Sequence, residues 1–158
     1  MTNIKQSVHA YESWLRRMAV RYVVVTDAPA DYSSRRETQL VTSGATSLVP
    51  VRWFPHMTVY ELPDATPLIT GPADANVMWF WPQRLVASFA APGAYRVRIR
   101  WSPYWHSSGG CVSRTVDGLT KITTLHAGIL DLRFAVSVRR GLQTLAGTIP
   151  ACSKTGNR

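Results

Sequence analysis

Over Ala94–Trp101 the chain alternates without a break: Tyr95, Val97, Ile99 and Trp101 are separated by Arg96, Arg98 and Arg100. Successive side chains of a strand point to opposite faces, so this spacing puts four large apolar groups on one side and three guanidinium groups on the other. A helical period of 3.6 would scatter both sets around the axis. The segment predicts a strand with one face in a core. Its other face is either solvated or arranged to meet an anion. Ile129–Val136 is the expected neighbour, with Leu130, Leu132, Phe134 and Val136 inward and Asp131 outward, where it could offset the arginine row.

The same period runs through most of the C-terminal half. Val77–Trp81, Arg84–Phe89, Thr120–Leu125 and Ile129–Val136 read as short strands separated by Gly, Pro or Ser. Strands punctuated this way point to an antiparallel sandwich, jelly-roll-like in its many short turns. The N-terminal part reads differently. Val8, Tyr11, Trp14, Leu15 and Met18 recur at spacings of three and four, one face of a helix. Val20–Thr26 is a β-branched run ended by Asp27-Ala28-Pro29. Ser34-Arg35-Arg36-Glu37 has the form of a capping box opening a helix over about 34–43, closed by Gly44. Ser47–Phe54 and Met57–Leu62 then form a hairpin about Pro55-His56. The fold class is therefore α+β: a small α/β layer over 1–65, a β-sandwich over 66–150, and a polar tail over 151–158. The boundary falls in the turn-rich stretch 63–75. A short helix is expected near 139–146.

Composition narrows the function classes. The 158 residues are 46% hydrophobic and 17% charged, which excludes disorder, and no run of 18 apolar residues offers a membrane span. Eighteen Lys and Arg against nine Asp and Glu give a net charge of +9, and fifteen of the cations are Arg. No basic run exceeds two residues, so the charge lacks the clustering that nucleic-acid binding uses. A genome rich in Arg codons and an anionic partner both remain open as its origin. The four histidines are scattered, and no Cys-x-x-Cys or His-x-x-x-His spacing suggests a metal. No nucleophile elbow and no phosphate-binding glycine loop occurs, so no cofactor and no catalytic residue is expected. Cys111 beside His106 is a weak thiol–imidazole candidate. Cys111 and Cys152 could equally be a disulfide or two plain thiols, depending on compartment.

The aromatic residues are the most suggestive local feature. Tyr104, Trp105 and His106 end a strand and enter a Ser/Gly loop, where rings could stack on sugar faces and Arg98 and Arg100 could contact an anion. Aromatic rings also fill cores, which is the expected role of Trp79, Trp81 and Trp101.

Three strings carry a resemblance: residues 19–32 (AVRYVVVTDAPADY), residues 92–105 (PGAYRVRIRWSPYW), and Gly110-Cys111-Val112-Ser113 with Asp117-Gly118. They resemble the C-terminal extracytoplasmic region of large actinobacterial polytopic membrane proteins. Those proteins look like type-C glycosyltransferases of the cell envelope and are sometimes labelled as related to 6-pyruvoyl-tetrahydropterin synthase. The resemblance covers about residues 10–147 and reports lineage rather than an active site. It implies a domain at the outer face of the cell membrane, and with the aromatic cluster the expectation is a non-catalytic accessory domain contacting glycan or lipid-linked sugar through Tyr104, Trp105, His106, Arg98 and Arg100. An outward-facing location also favours the Cys111–Cys152 disulfide. The alternative is a structural or interaction domain that docks on a membrane partner, through the first helix, with no small ligand.

Overall fold

The computed structural model describes residues 2–32 and 34–136. The expected helix near 139–146, the polar tail and Cys152 lie outside the described residues. The chain divides into two units, one ending at Pro67 and the other beginning at Leu68.

The N-terminal unit contains α1 (Thr2–Arg17), β1 (Tyr22–Thr26), α2 (Arg35–Thr42), β2 (Val49–Phe54) and β3 (Met57–Glu61). The strands form an antiparallel sheet in the order β1-β3-β2. Leu15 of α1, Val41 of α2, Leu48 and Leu62 form its buried core, with Tyr11, Val23, Val25 and Tyr60 packed against them. β1 alternates accordingly: Val23 and Val25 face this core while Tyr22 and Val24 are exposed.

The start of α2 departs from the expected capping box. Ser34 precedes the helix but caps nothing with its side chain. Asp31 Oδ1 takes both the Ser34 amide at 2.7 Å and its hydroxyl at 2.5 Å. Glu37, the other half of the expected box, instead accepts a 2.7 Å hydrogen bond from the Tyr11 hydroxyl. Ser34 itself lies in the helical region, at φ −85 and ψ −18, rather than in the extended conformation of a capping residue, and its hydroxyl donates to Asp31 instead of accepting a helix N–H. Gly44 does end the helix, at φ +68, a conformation glycine adopts without a Cβ clash.

The C-terminal unit is a sandwich of two four-stranded antiparallel sheets. Its strands are β4 (Ile69–Thr70), β5 (Ala75–Trp81), β6 (Arg84–Phe89), β7 (Gly93–Arg100), β8 (Trp105–Ser107), β9 (Gly110–Arg114), β10 (Leu119–Thr124) and β11 (Gly128–Phe134). One sheet runs β4-β7-β10-β9 and the other β5-β6-β11-β8. Tyr95, Val97, Ile69 and Ile122 of the first meet Leu85, Ala87, Phe89, Leu130 and Leu132 of the second in one core. The Tyr95 ring lies edge-on to Phe89 at 4.7 Å, and its hydroxyl donates to the Ala91 carbonyl at 2.7 Å. Gly71 sits directly on that ring: a Cβ there would lie 2.2 Å from Tyr95 Cδ1. The glycine lets the backbone entering β5 pass over the tyrosine.

The alternation of β7 is as expected, but its neighbour is not Ile129–Val136. β7 pairs with β10 and β4, whereas β11 pairs with β6 and β8 in the opposite sheet. The two strands meet side chain to side chain across the core rather than through backbone hydrogen bonds. Asp131 consequently serves Arg84 and Arg133 of its own sheet. Arg96 finds Asp117 instead.

Candidate functional site

Trp105 is buried, 8% exposed, in the sandwich core. Its ring lies edge-on to Phe134 at 5.3 Å, and its indole N–H donates to the Arg100 carbonyl at 3.3 Å. A ring held this way has no free face to offer a sugar. Tyr104 is half-buried and meets the same Phe134 ring at 5.8 Å. His106, the next residue, points to the outside of its sheet and donates from Nε2 to the Ala135 carbonyl at 3.3 Å.

Arg98 and Arg100 lie on the outside of the other sheet, since Tyr95 and Val97 of β7 point inward. The five residues expected to act together are thus split between the two outer faces and the core. This corrects the stacking-platform expectation, and its cause is the topology: β7 and β8 belong to different sheets. Arg98 donates from Nη1 to Thr70 Oγ1 at 2.9 Å. Burial holds its guanidinium below the ordinary arginine value; Arg96 adds to the depression and Asp117 opposes it. Arg100 is exposed. Trp101, at the end of the row, is half-buried under the Arg114 guanidinium, 5.9 Å from its ring centroid.

The first helix also spends its apolar face internally. Leu15 is 1% exposed and Tyr11 packs on the core, leaving Trp14 as the exposed large residue of that stripe. Cys111 is disulfide-bonded and therefore no thiolate nucleophile. Among the described residues no group of three or more His, Cys, Asp or Glu comes together as metal ligands. None of the described helices is long and apolar enough to cross a membrane.

A run of exposed aromatic residues lies elsewhere, on β5. Trp79 and Trp81, expected in the core, are 59% and 60% exposed, and Met78 and Phe80 between them are 51% and 55% exposed. Trp79 pairs with Val86 and Trp81 with Arg84, placing both indoles on the outer face; Phe80 pairs with Leu85, whose side chain points inward. Met78 falls at an irregularity in the pairing between Val77 and Trp79. Both faces of the strand are open for two reasons. Among the described residues β5 is the edge of its sheet, hydrogen-bonded to β6 on one side. β4, the matching edge of the opposite sheet, is only two residues long against seven for β5. Ala75 packs on the core, and the strand beyond it overhangs. Pro82-Gln83 closes the turn into β6, where Arg84 is held by Asp131 at 3.0 and 2.9 Å.

No family model, no curated protein and no solved structure matches the chain.

Proposed function

We propose that this chain is a non-catalytic interaction domain that works against a membrane, with the overhanging strand β5 as its contact element. One observation carries the reading: Met78, Trp79, Phe80 and Trp81 are exposed on both faces of one edge strand. A flat protein partner would cover one face and leave the other in water. A medium that surrounds the strand tip suits both, and the interfacial zone of a bilayer is such a medium, where Trp rings are favoured. The net charge of +9 favours a surface bearing anionic headgroups. The resemblance to an outward-facing region of cell-envelope membrane proteins supports the same setting, with a glycosyltransferase-like membrane module as the neighbouring partner on the extracytoplasmic side.

Sedimentation with phosphatidylcholine vesicles, with and without phosphatidylglycerol, tests the reading. The chain is expected to partition onto the mixed vesicles with a blue shift of its tryptophan emission. Trp79→Ser with Trp81→Ser should weaken partitioning roughly tenfold or more, since burying one large apolar side chain is worth about 1.5–3 kcal/mol. Partitioning unchanged by that pair of substitutions would rule β5 out. A second reading, contact with glycan or lipid-linked sugar, is favoured by the placement of Trp79 and Trp81 on one face about 7 Å apart, the repeat of two strand residues. Retention on an insoluble polysaccharide without lipid, lost in the same double variant, would select it.

A further inference from the structure

In the N-terminal unit, a groove of about 450 Å³ runs along the open edge of β1. One wall is the consecutive run Val23–Thr26, so the groove follows the strand rather than crossing it. The other wall is Ser34, Glu37, Thr38 and Val41, whose spacing of three, four and seven residues is one face of α2 and its N-cap. Residues 28–31 close one end.

The backbone along this groove is set to pair. β1 is an edge strand, bonded to β3 on one side. Arg21 accepts from the Leu62 amide and the Asp27 amide donates to His56, so the odd-numbered residues face β3. In an antiparallel ladder such pairs alternate with pairs whose N–H and C=O point away from the partner strand. Tyr22, Val24 and Thr26 therefore direct their backbone groups to the open edge, into the space bounded by α2. A strand edge beside a helix face is the geometry by which sheets accept an extended peptide as an additional strand.

The groove also has a charge. Asp31 and Glu37 are the charged side chains that line it, with no Lys or Arg among the lining residues, on a chain of net charge +9. Glu37 accepts the Tyr11 hydroxyl at 2.7 Å, and burial first, then that hydrogen bond and the carboxylate's charge, hold the Tyr11 phenol above the ordinary tyrosine value. The walls between these carboxylates are Val, Ala, Pro and Thr. We propose that this groove binds an extended segment of another protein, with small or β-branched residues and at least one Lys or Arg, by strand addition to β1. The proposal is independent of the membrane role of β5, which lies in the other unit.

The probe is a fluorescent peptide, Thr-Val-Lys-Val-Lys-Val-Thr with blocked ends, titrated with the full chain by anisotropy. Two relatives accompany it: one with both lysines replaced by glutamate, and one with its central valine replaced by proline. The lysine peptide is expected to bind, the glutamate peptide at least tenfold more weakly, and the proline peptide not at all. In the protein, Val24→Pro removes an amide that points to the groove and leaves the β3 ladder intact, so it should abolish binding with little change in melting temperature. Thr38→Trp fills the groove from the helix side and should do the same, so the test survives if the proline variant fails to fold. Glu37→Gln keeps an acceptor for Tyr11 and should lower affinity for the lysine peptide alone. Absence of binding, or equal affinity for the proline peptide, overturns the proposal. So does concentration-dependent dimerisation abolished by Val24→Pro, which would give the edge to a second copy of the chain.

Discussion

Trp105 and Trp79 are the same residue type with opposite fates, and their difference decides where a ligand surface can be. Trp105 begins β8 and turns into the core against Phe134; Trp79 sits on an edge strand and is 59% exposed. Truncating Trp105 to alanine should therefore act on stability alone. The loss is about 3–5 kcal/mol, the cost of removing a large buried ring and leaving its cavity, read as a lower urea midpoint. Vesicle partitioning by the residual folded protein should be unchanged, and a large drop in partitioning would contradict the burial argument. The sequence reading assigns the two the other way round, Trp79 to the core and Trp105 to a stacking surface at a loop mouth. What separates them is a tertiary fact, whether a strand of the opposite sheet covers the position, and no local spacing encodes it. Tyr95 and Val97 were legible because Arg96, Arg98 and Arg100 mark the outward face between them.

Elements with a clear period were equally readable. β5, β6, β7, β10 and β11 all fall within a few residues of the expected segments, and the Pro55-His56 hairpin joins β2 and β3 as expected. β4, β8 and β9 were not legible: the first two span two and three residues, too few to show a period, and β9 is a polar run inside a Ser/Gly loop. Pairing was the larger gap, because β7 and β11 share the same pattern whether they are neighbours in one sheet or opposed across a core. That distinction has an electrostatic consequence. Asp131 of β11 receives Arg133 from its own strand at 2.6 Å and Arg84 from β6 at 2.9 Å. Hydrogen bonds from Arg133 and then Arg84 hold its carboxyl at about 2, against an ordinary value of 3.8. A carboxylate with a depressed folded value stabilises the fold above its ordinary value and ceases to as the pH falls through the folded one. The clamp is therefore complete at neutral pH and lost between about pH 4 and 2. Asp131→Asn should melt below wild type at pH 6, and the two melting temperatures should converge as the pH approaches 2. A deficit that stays constant across that range would show that the carboxylate's charge plays no part.

At the scale of the molecule, two units with separate cores bring different edges to their surroundings: a groove beside β1 in one, an aromatic overhang on β5 in the other. The cysteines bear on where such a molecule works. Cys111 is disulfide-bonded, on β9, and the chain has one other cysteine, Cys152, some forty residues on. Disulfides persist in oxidising compartments and are rare in the cytosol, so a bonded Cys111 suits the extracytoplasmic setting proposed for β5. Closing a loop of that length lowers the entropy of the unfolded chain by about 4 kcal/mol at room temperature. A Cys111–Cys152 bond should therefore give a monomer on non-reducing gels, an intact mass two hydrogens lighter than the reduced chain, and a reduction-sensitive melting temperature. Cys111→Ser should reproduce the reduced melting temperature and become insensitive to reductant. The effect belongs to the sandwich, so peptide binding in the β1 groove should survive reduction. A covalent dimer on the non-reducing gel would reassign the bond to a partner chain, and the loop-closure stabilisation would then disappear from the monomer.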